Sequence, residues 1–148
     1  MDVDVEARVR GSFARQSYMA TIGAELVHVA KGEVDIALPF SDRLTQQDGY
    51  LHAGVVAGAA DSACGYAALT MMDAAAEVLT VEFKINLLAP AAGESLVARG
   101  RVLRSGRTLT VCRAEVATIS GGQETPVATL TATLIALVRG AAGSTSSG

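Results

Sequence analysis

The sequence predicts an α+β domain in which an antiparallel sheet wraps one long, buried helix, and three observations carry this. From Ala53 to about Met72 the chain is rich in alanine, free of proline and apolar on nearly every side, and it is too long for a strand. The segment VLTVEFKINLLAP then alternates, with Leu79, Val81, Phe83, Ile85 and Leu87 on one face and Thr80, Glu82, Lys84 and Asn86 on the other. Finally, ESLVARGRVLR, RTLTVCRAEVATI and PVATLTATLIALV read as three further strands joined by SG and SGGQET turns, the order of an antiparallel meander.

The elements ahead of the central helix follow the same logic. A short N-terminal helix is expected over about 8–20, where VRGSFARQSYM places apolar residues at helical spacing. Leu26 to Ala30 and the alternating Val34, Ile36 and Leu38 form a hairpin turning at Lys31 and Gly32. SDRLTQQDGY is a polar loop that delivers the chain to the central helix. A length of 148 residues fits one domain, taken as 1–139, followed by a tail over 140–148 with too little apolar content to bury and so expected to be disordered.

Composition narrows the function. The chain is 50% hydrophobic but only 4% aromatic, so its core is filled by small aliphatic side chains, and part of its apolar surface is expected to be covered by another subunit. A net charge of −3 argues against a nucleic-acid binder. MDVDVEARVR is acidic where a secretory signal is basic, and no uninterrupted apolar run approaches the ~18 residues of a membrane span, so no membrane association and a cytoplasmic location are expected. Cys64 and Cys112 show no metal-type spacing and read as buried free thiols, with no metal site and no cofactor implied. His28, within a strand, reads as structural.

Asp61 stands out, because it interrupts the run HAGVVAGAADSACGYAAL with no cation beside it. A buried carboxylate is expensive unless it is hydrogen-bonded, paired or functional. Taken alone, its position is equally compatible with capping a neighbouring segment.

The residues GYLHAGVVAGAADSACGYAAL, LTVEFKINLLAPA and GRVLRSGRTL together resemble the PaaI-like acyl-CoA thioesterases of the hotdog superfamily, over about 120 residues. That resemblance implies hydrolysis of an acyl-CoA thioester of a small aromatic or short-to-medium-chain acid, at the interface of a homodimer or homotetramer. Asp61 matches the acidic catalytic residue. His52, Ala53 and Gly54 match the His-Gly-Gly that opens the helix, with Ala53 a departure that keeps the N–H but adds a methyl to the site. Gln46 lies where relatives hold water or the carboxylate, and Thr80 where a hydroxyl assists.

Physical chemistry supports this assignment independently. A helix start near Ala53 and Gly54 offers unpaired N–H groups to an oxyanion, and Asp61 can act as general base or as nucleophile. Eight residues of helix separate Ala53 from Asp61, about 12 Å at ~1.5 Å per residue, too far to act on one carbonyl. The two halves are therefore expected to meet from different chains, with Ala57, Gly58 and Ala60 permitting two helices to approach. Candidate acyl contacts are Leu51, Tyr66, Leu69 and Met72, and candidate cations for the phosphates of CoA are Arg104 and Arg107, with Lys84 and Arg101 as alternates. Cys64 lacks a histidine placed to activate it. Two other functions fit less well: a hydratase of the same fold, whose His-Phe-Pro pattern is absent, and a non-catalytic acyl-CoA binding or scaffolding protein, which the Ala53 departure keeps open.

Overall fold

A computed structural model describes residues 2–138. The tail expected over 140–148, with residue 139, lies outside the described residues. Helices α1 (Val3–Arg15) and α2 (Ser17–Thr21) precede the hairpin β1 (Glu25–Ala30) and β2 (Glu33–Pro39). A 3₁₀ turn at Asp42–Leu44 leads to α3 (Ala53–Leu69), followed by β3 (Ala76–Leu87), β4 (Ser95–Ser105), β5 (Leu109–Ser120) and β6 (Gln123–Val138). All pairings in the single six-stranded sheet are antiparallel, in the order β1-β2-β4-β5-β6-β3, and α3 lies across β2 to β6. This is the α+β arrangement expected of a hotdog fold.

Small residues set how closely helix and sheet approach. Ala59, Ala60, Ala63 and Ala67 on α3 are fully buried against a sheet face that includes Ala98, Cys112, Ala114 and Ala132. At Gly100 on β4 the approach is so close that a Cβ there would collide with the backbone carbonyl of Ala63. Larger side chains close the margins, among them Ile36, Leu38, Leu96, Leu130 and Leu134, all essentially buried.

Both ends of α3 are fixed by side chains. His52 caps the start, and at the end the Thr70 hydroxyl donates to the Ala67 carbonyl (2.6 Å) while accepting the Gly32 N–H (2.8 Å) from the β1–β2 turn. The Arg8 guanidinium, reaching from α1, donates to the carbonyls of Leu69 (2.6 Å) and Asp73 (2.8 Å). These bonds stop the helix at Leu69, three residues short of the expected Met72.

Three further expectations are corrected. The N-terminal helix begins at Val3 rather than near residue 8, because Asp2 caps it by accepting the Asp4 N–H, and it breaks at Gln16 into two pieces. The meander holds for β4, β5 and β6, but β3 pairs with β6 at the sheet edge. The alternation of β3 is also interrupted: Thr80 pairs with Leu134 and Glu82 with Thr133, leaving Val81 as an extra residue in a bulge. Residues before the bulge thus change face relative to those after it, so Val78 and Ile85, of opposite parity, both pack toward the core. Leu79, Val81 and Leu87 on this edge strand are each more than half exposed.

The Gly100 contact gives a stability test. Gly100→Ala is expected to lower unfolding free energy in urea by about 1–3 kcal/mol through overpacking against α3. Gly11→Ala, on α1 where a Cβ meets only the end of Arg15 at 3.6 Å, should leave stability unchanged or raise it by about 0.5–1 kcal/mol. An unchanged midpoint for Gly100→Ala would show that the helix can stand off the sheet.

Candidate active site

Asp61 occupies a half-buried stripe of α3 that faces away from the sheet, with Ala57, Gly58, Ser62 and Gly65. The Thr80 hydroxyl donates to its Oδ1 at 2.7 Å, across from β3. Burial pushes the Asp61 carboxyl above the ordinary aspartate range, and the Thr80 bond offsets part of that rise. The bulge at Val81 is what allows Thr80 and, further along, Ile85 to point to the helix side of one strand.

A cleft of about 380 Å³ opens over this pair. Its other wall comes from the N-terminal helices through Ser12, Arg15 and Gln16. Gln16, at the break between α1 and α2, donates from Nε2 to the Tyr66 hydroxyl (3.0 Å) and accepts at Oε1 from Ser62 (3.1 Å). Phe13 meets the Tyr66 ring edge-on at 5.8 Å between centroids. Sequence reasoning missed these N-terminal residues. Their one local signal is a run of polar side chains, Ser12, Arg15, Gln16 and Ser17, on a segment otherwise read as an ordinary surface helix.

The start of α3 lines a different cleft, of about 510 Å³, with Gln46, Leu51, Ala53, Val56 and Leu88 among its walls. The His52 ring accepts the Gly54 N–H at Nδ1 (2.7 Å), which makes His52 an orienting cap and leaves Gly54's N–H unavailable to a ligand. The Ala53 N–H makes no hydrogen bond within the described residues. Gln46 accepts the N–H groups of Asp48 (2.6 Å) and Tyr50 (3.3 Å) at Oε1, which folds the loop and leaves its amide nitrogen free beside Ala53. Within one chain the structure thus joins Asp61 to Thr80, and Gln46 and Leu51 to Ala53, but holds the two groups in separate clefts.

The remaining candidates are scattered. Arg104 and Arg107 flank the β4–β5 turn near Met71, at the C-terminal end of α3, and Lys84 is exposed on β3. Arg101 is held by Asp35 at 2.6 Å. Tyr66 lines the Asp61 cleft, whereas Leu69 belongs to the core. The proposed approach of two helices through Ala57, Gly58 and Ala60 is corrected: Ala60 is buried in its own core, and the Tyr18 ring already lies over Gly58, where a Cβ would meet Tyr18 Cε1 at 2.7 Å. Cys112 and burial push the Cys64 thiol far up, so it is no nucleophile. Among the described residues no group of three or more His, Cys, Asp or Glu side chains could hold a metal, and no helix is long and apolar enough to cross a membrane.

With this geometry in hand, comparison with known proteins is informative. The model of the Thioesterase superfamily matches residues 48–125, more than half of the chain, a span that contains Asp61, Thr80 and all of α3. A thioesterase family protein from Silicibacter pomeroyi, known from its crystal structure, is 50% identical with a TM-score of 0.90, covering 91% of this chain and 99% of that one. The E. coli PaaI protein, from the phenylacetic acid degradation operon, shares the fold at a TM-score of 0.82 and 17% identity, over 90% of this chain and 94% of that one. A candidate esterase of Saccharolobus solfataricus, SSO2140, is 35% identical over 94 residues, which are 64% of this chain and 66% of that protein, just under two thirds of its length. The chain carries the hotdog fold and belongs to the thioesterase superfamily.

Proposed function

We propose that the protein hydrolyses acyl-CoA thioesters at a site shared by two copies of the chain. One observation carries this reading: a raised, Thr80-bonded Asp61 and an unpartnered Ala53 N–H stand in separate clefts of the same chain. Each is half of a thioester-cleaving site, and a second copy can supply the missing half. The long apolar edge of β3 supports such an assembly, since an exposed edge strand of this kind is rarely left uncovered.

In the proposed reaction Thr80 occupies Oδ1 of Asp61 and leaves Oδ2 to take a proton from water. The water oxygen adds to the thioester carbon, and the Ala53 N–H of the other copy, at a helix N-terminus, stabilises the oxyanion. The C–S bond then breaks, and the CoA thiolate leaves and takes up a proton. Direct attack by Asp61, giving an anhydride that water opens, uses the same groups. Gln46 would add a donor beside Ala53, and His52 would hold the helix start. The size of the Asp61 cleft supports a small aromatic or short-to-medium acyl group. Exposed cations without ion pairs among the described residues, Arg104, Arg107 and Lys84, would serve the CoA phosphates.

Asp61→Asn should fold and assemble yet lose activity toward CoA esters by about a hundredfold or more. Equal mixtures of Asp61→Asn with Ala53→Pro, which lacks the donor N–H, should regain activity after subunit exchange. Verified mixed dimers that stay inactive would exclude the shared site.

The titration of Asp61 gives a second expectation. Because its folded pKa is raised, the folded state holds the proton more tightly than the unfolded chain, and ionising Asp61 weakens the fold as pH rises through that pKa. Asp61→Asn should therefore be at least as stable as wild type at neutral pH. Activity needs the ionised form, so the acid limb of kcat/KM should lie above the ordinary aspartate range. Thr80→Val, which removes the bond that lowers the pKa, should move that limb further up. A limb that stays in place in Thr80→Val would separate Thr80 from the titrating group.

A further inference from the structure

Arg15 is a cation beside Asp61 that the proposed mechanism leaves unused. It lies in the last turn of α1 and lines the same cleft as Asp61. Four other arginines have evident partners: Arg8 holds the end of α3, Arg10 pairs with Glu6, Arg99 with Glu124 and Arg101 with Asp35, while Arg104 and Arg107 stand away from this cleft at the β4–β5 turn. Arg15 makes no ion pair or side-chain hydrogen bond among the described residues. Its guanidinium runs back along its own helix, with Nη1 at 3.6 Å from the position a Cβ on Gly11 would occupy. Nothing cationic contributes to the titration of Asp61, so Arg15 is not that carboxylate's partner either.

The neighbours of Arg15 explain why it stays where it is. Gln16, the next residue, is clamped to Tyr66 and Ser62, and Phe13 packs on the Tyr66 ring. The end of α1 is thereby anchored to α3, and a planar, five-donor group is presented to the cleft on a fixed support. Ser12 and Tyr66 add hydroxyls to the same wall, at 3.3 Å from each other. A cleft meant for a purely hydrocarbon tail gains nothing from a free guanidinium beside these hydroxyls.

We propose that Arg15 recognises a carboxylate at the far end of the acyl chain, so that the preferred substrates are CoA thioesters of dicarboxylic acids. This rests on the thioesterase reading of the Asp61 site. The anion in question belongs to the acyl group rather than to CoA, because Arg15 lines the same cleft as Asp61, the group that must reach the thioester, whereas the phosphates of CoA are a whole pantetheine arm away from that bond. A carboxylate brought close to Asp61 would be repelled unless a cation met it, and a bidentate arginine contact supplies that neutralisation together with orientation.

The test compares adipyl-CoA with heptanoyl-CoA, chains of similar size that differ in the terminal charge. Wild-type protein is expected to favour adipyl-CoA in kcat/KM by roughly ten- to a hundredfold, the range of a charge-assisted hydrogen bond. Arg15→Gln should bring that ratio close to one, and Arg15→Lys should restore part of it. A wild-type ratio near one, or a parallel fall for both esters in Arg15→Gln, would overturn the proposal, the second by assigning the cation to the CoA phosphates. If neither ester is hydrolysed, the thioesterase reading fails, and calorimetric binding of the two esters decides on Arg15. Tighter binding of adipyl-CoA that is lost in Arg15→Gln supports the contact, and equal binding excludes it.

Discussion

The close contact between α3 and the sheet governs the rest of the molecule. Alanines on the helix meet alanines and a glycine on the strands, so the two layers approach until backbone meets backbone at Ala63 and Gly100. Such packing gives little hydrophobic area per residue but leaves few ways to shift the helix, because interiors are close-packed and small steps create clashes or voids. The depth at which Asp61 stands, half in and half out, follows from that fixed position. Arg8, Thr70 and His52 then hold the helix ends by satisfying their orphan backbone groups, so the helix cannot slide along its axis either.

Strand β3 serves two needs at once. Its bulge reverses the facing of side chains partway along, so that Thr80 reaches Asp61 without turning Ile85 away from the core. Its outer edge is unpaired among the described residues and carries Leu79, Val81 and Leu87 toward solvent. The strand that completes the polar pair is therefore also the surface most in need of cover. In the proposed shared site, activity and assembly would be coupled through this one element, which is the physical reason such a site suits this fold.

Much of this was legible in the sequence. The alanine-rich run at Ala53–Leu69, the alternation at Val34, Ile36 and Leu38, and the odd placement of Asp61 within that run are local patterns, and local patterns report burial directly. The bulge was not legible, because VLTVEFKINL alternates without a break and only the register against β6 shows that Val81 is extra. Nor was the pairing of β3 with β6, which depends on connections distant in sequence. The N-terminal wall was missed for a related reason: Gln16, Ser62 and Tyr66 join through hydrogen bonds between segments some fifty residues apart, and such bonds leave no periodic trace. The separation of Ala53 from Asp61 needs only helix geometry, and the two residues lie on α3 in different clefts.

The position of Asp61 along α3 also follows from electrostatics. An aspartate in the first turn would face free N–H groups and the positive end of the helix, and both would stabilise its charge and lower its basicity. It would be a good cap and a poor base. Two turns further in, those influences fade, burial raises the carboxyl, and a single hydroxyl, Thr80, is left to steady it. The capping task falls to His52, which takes the Gly54 N–H and leaves that of Ala53 open. The proposed base and oxyanion donor are thus kept from neutralising each other within one chain. Under the proposed shared site, bringing them together only across two chains would let each retain the property the reaction needs, and the requirement for a partner would then lie in the electrostatics of the helix rather than in the shape of the cleft.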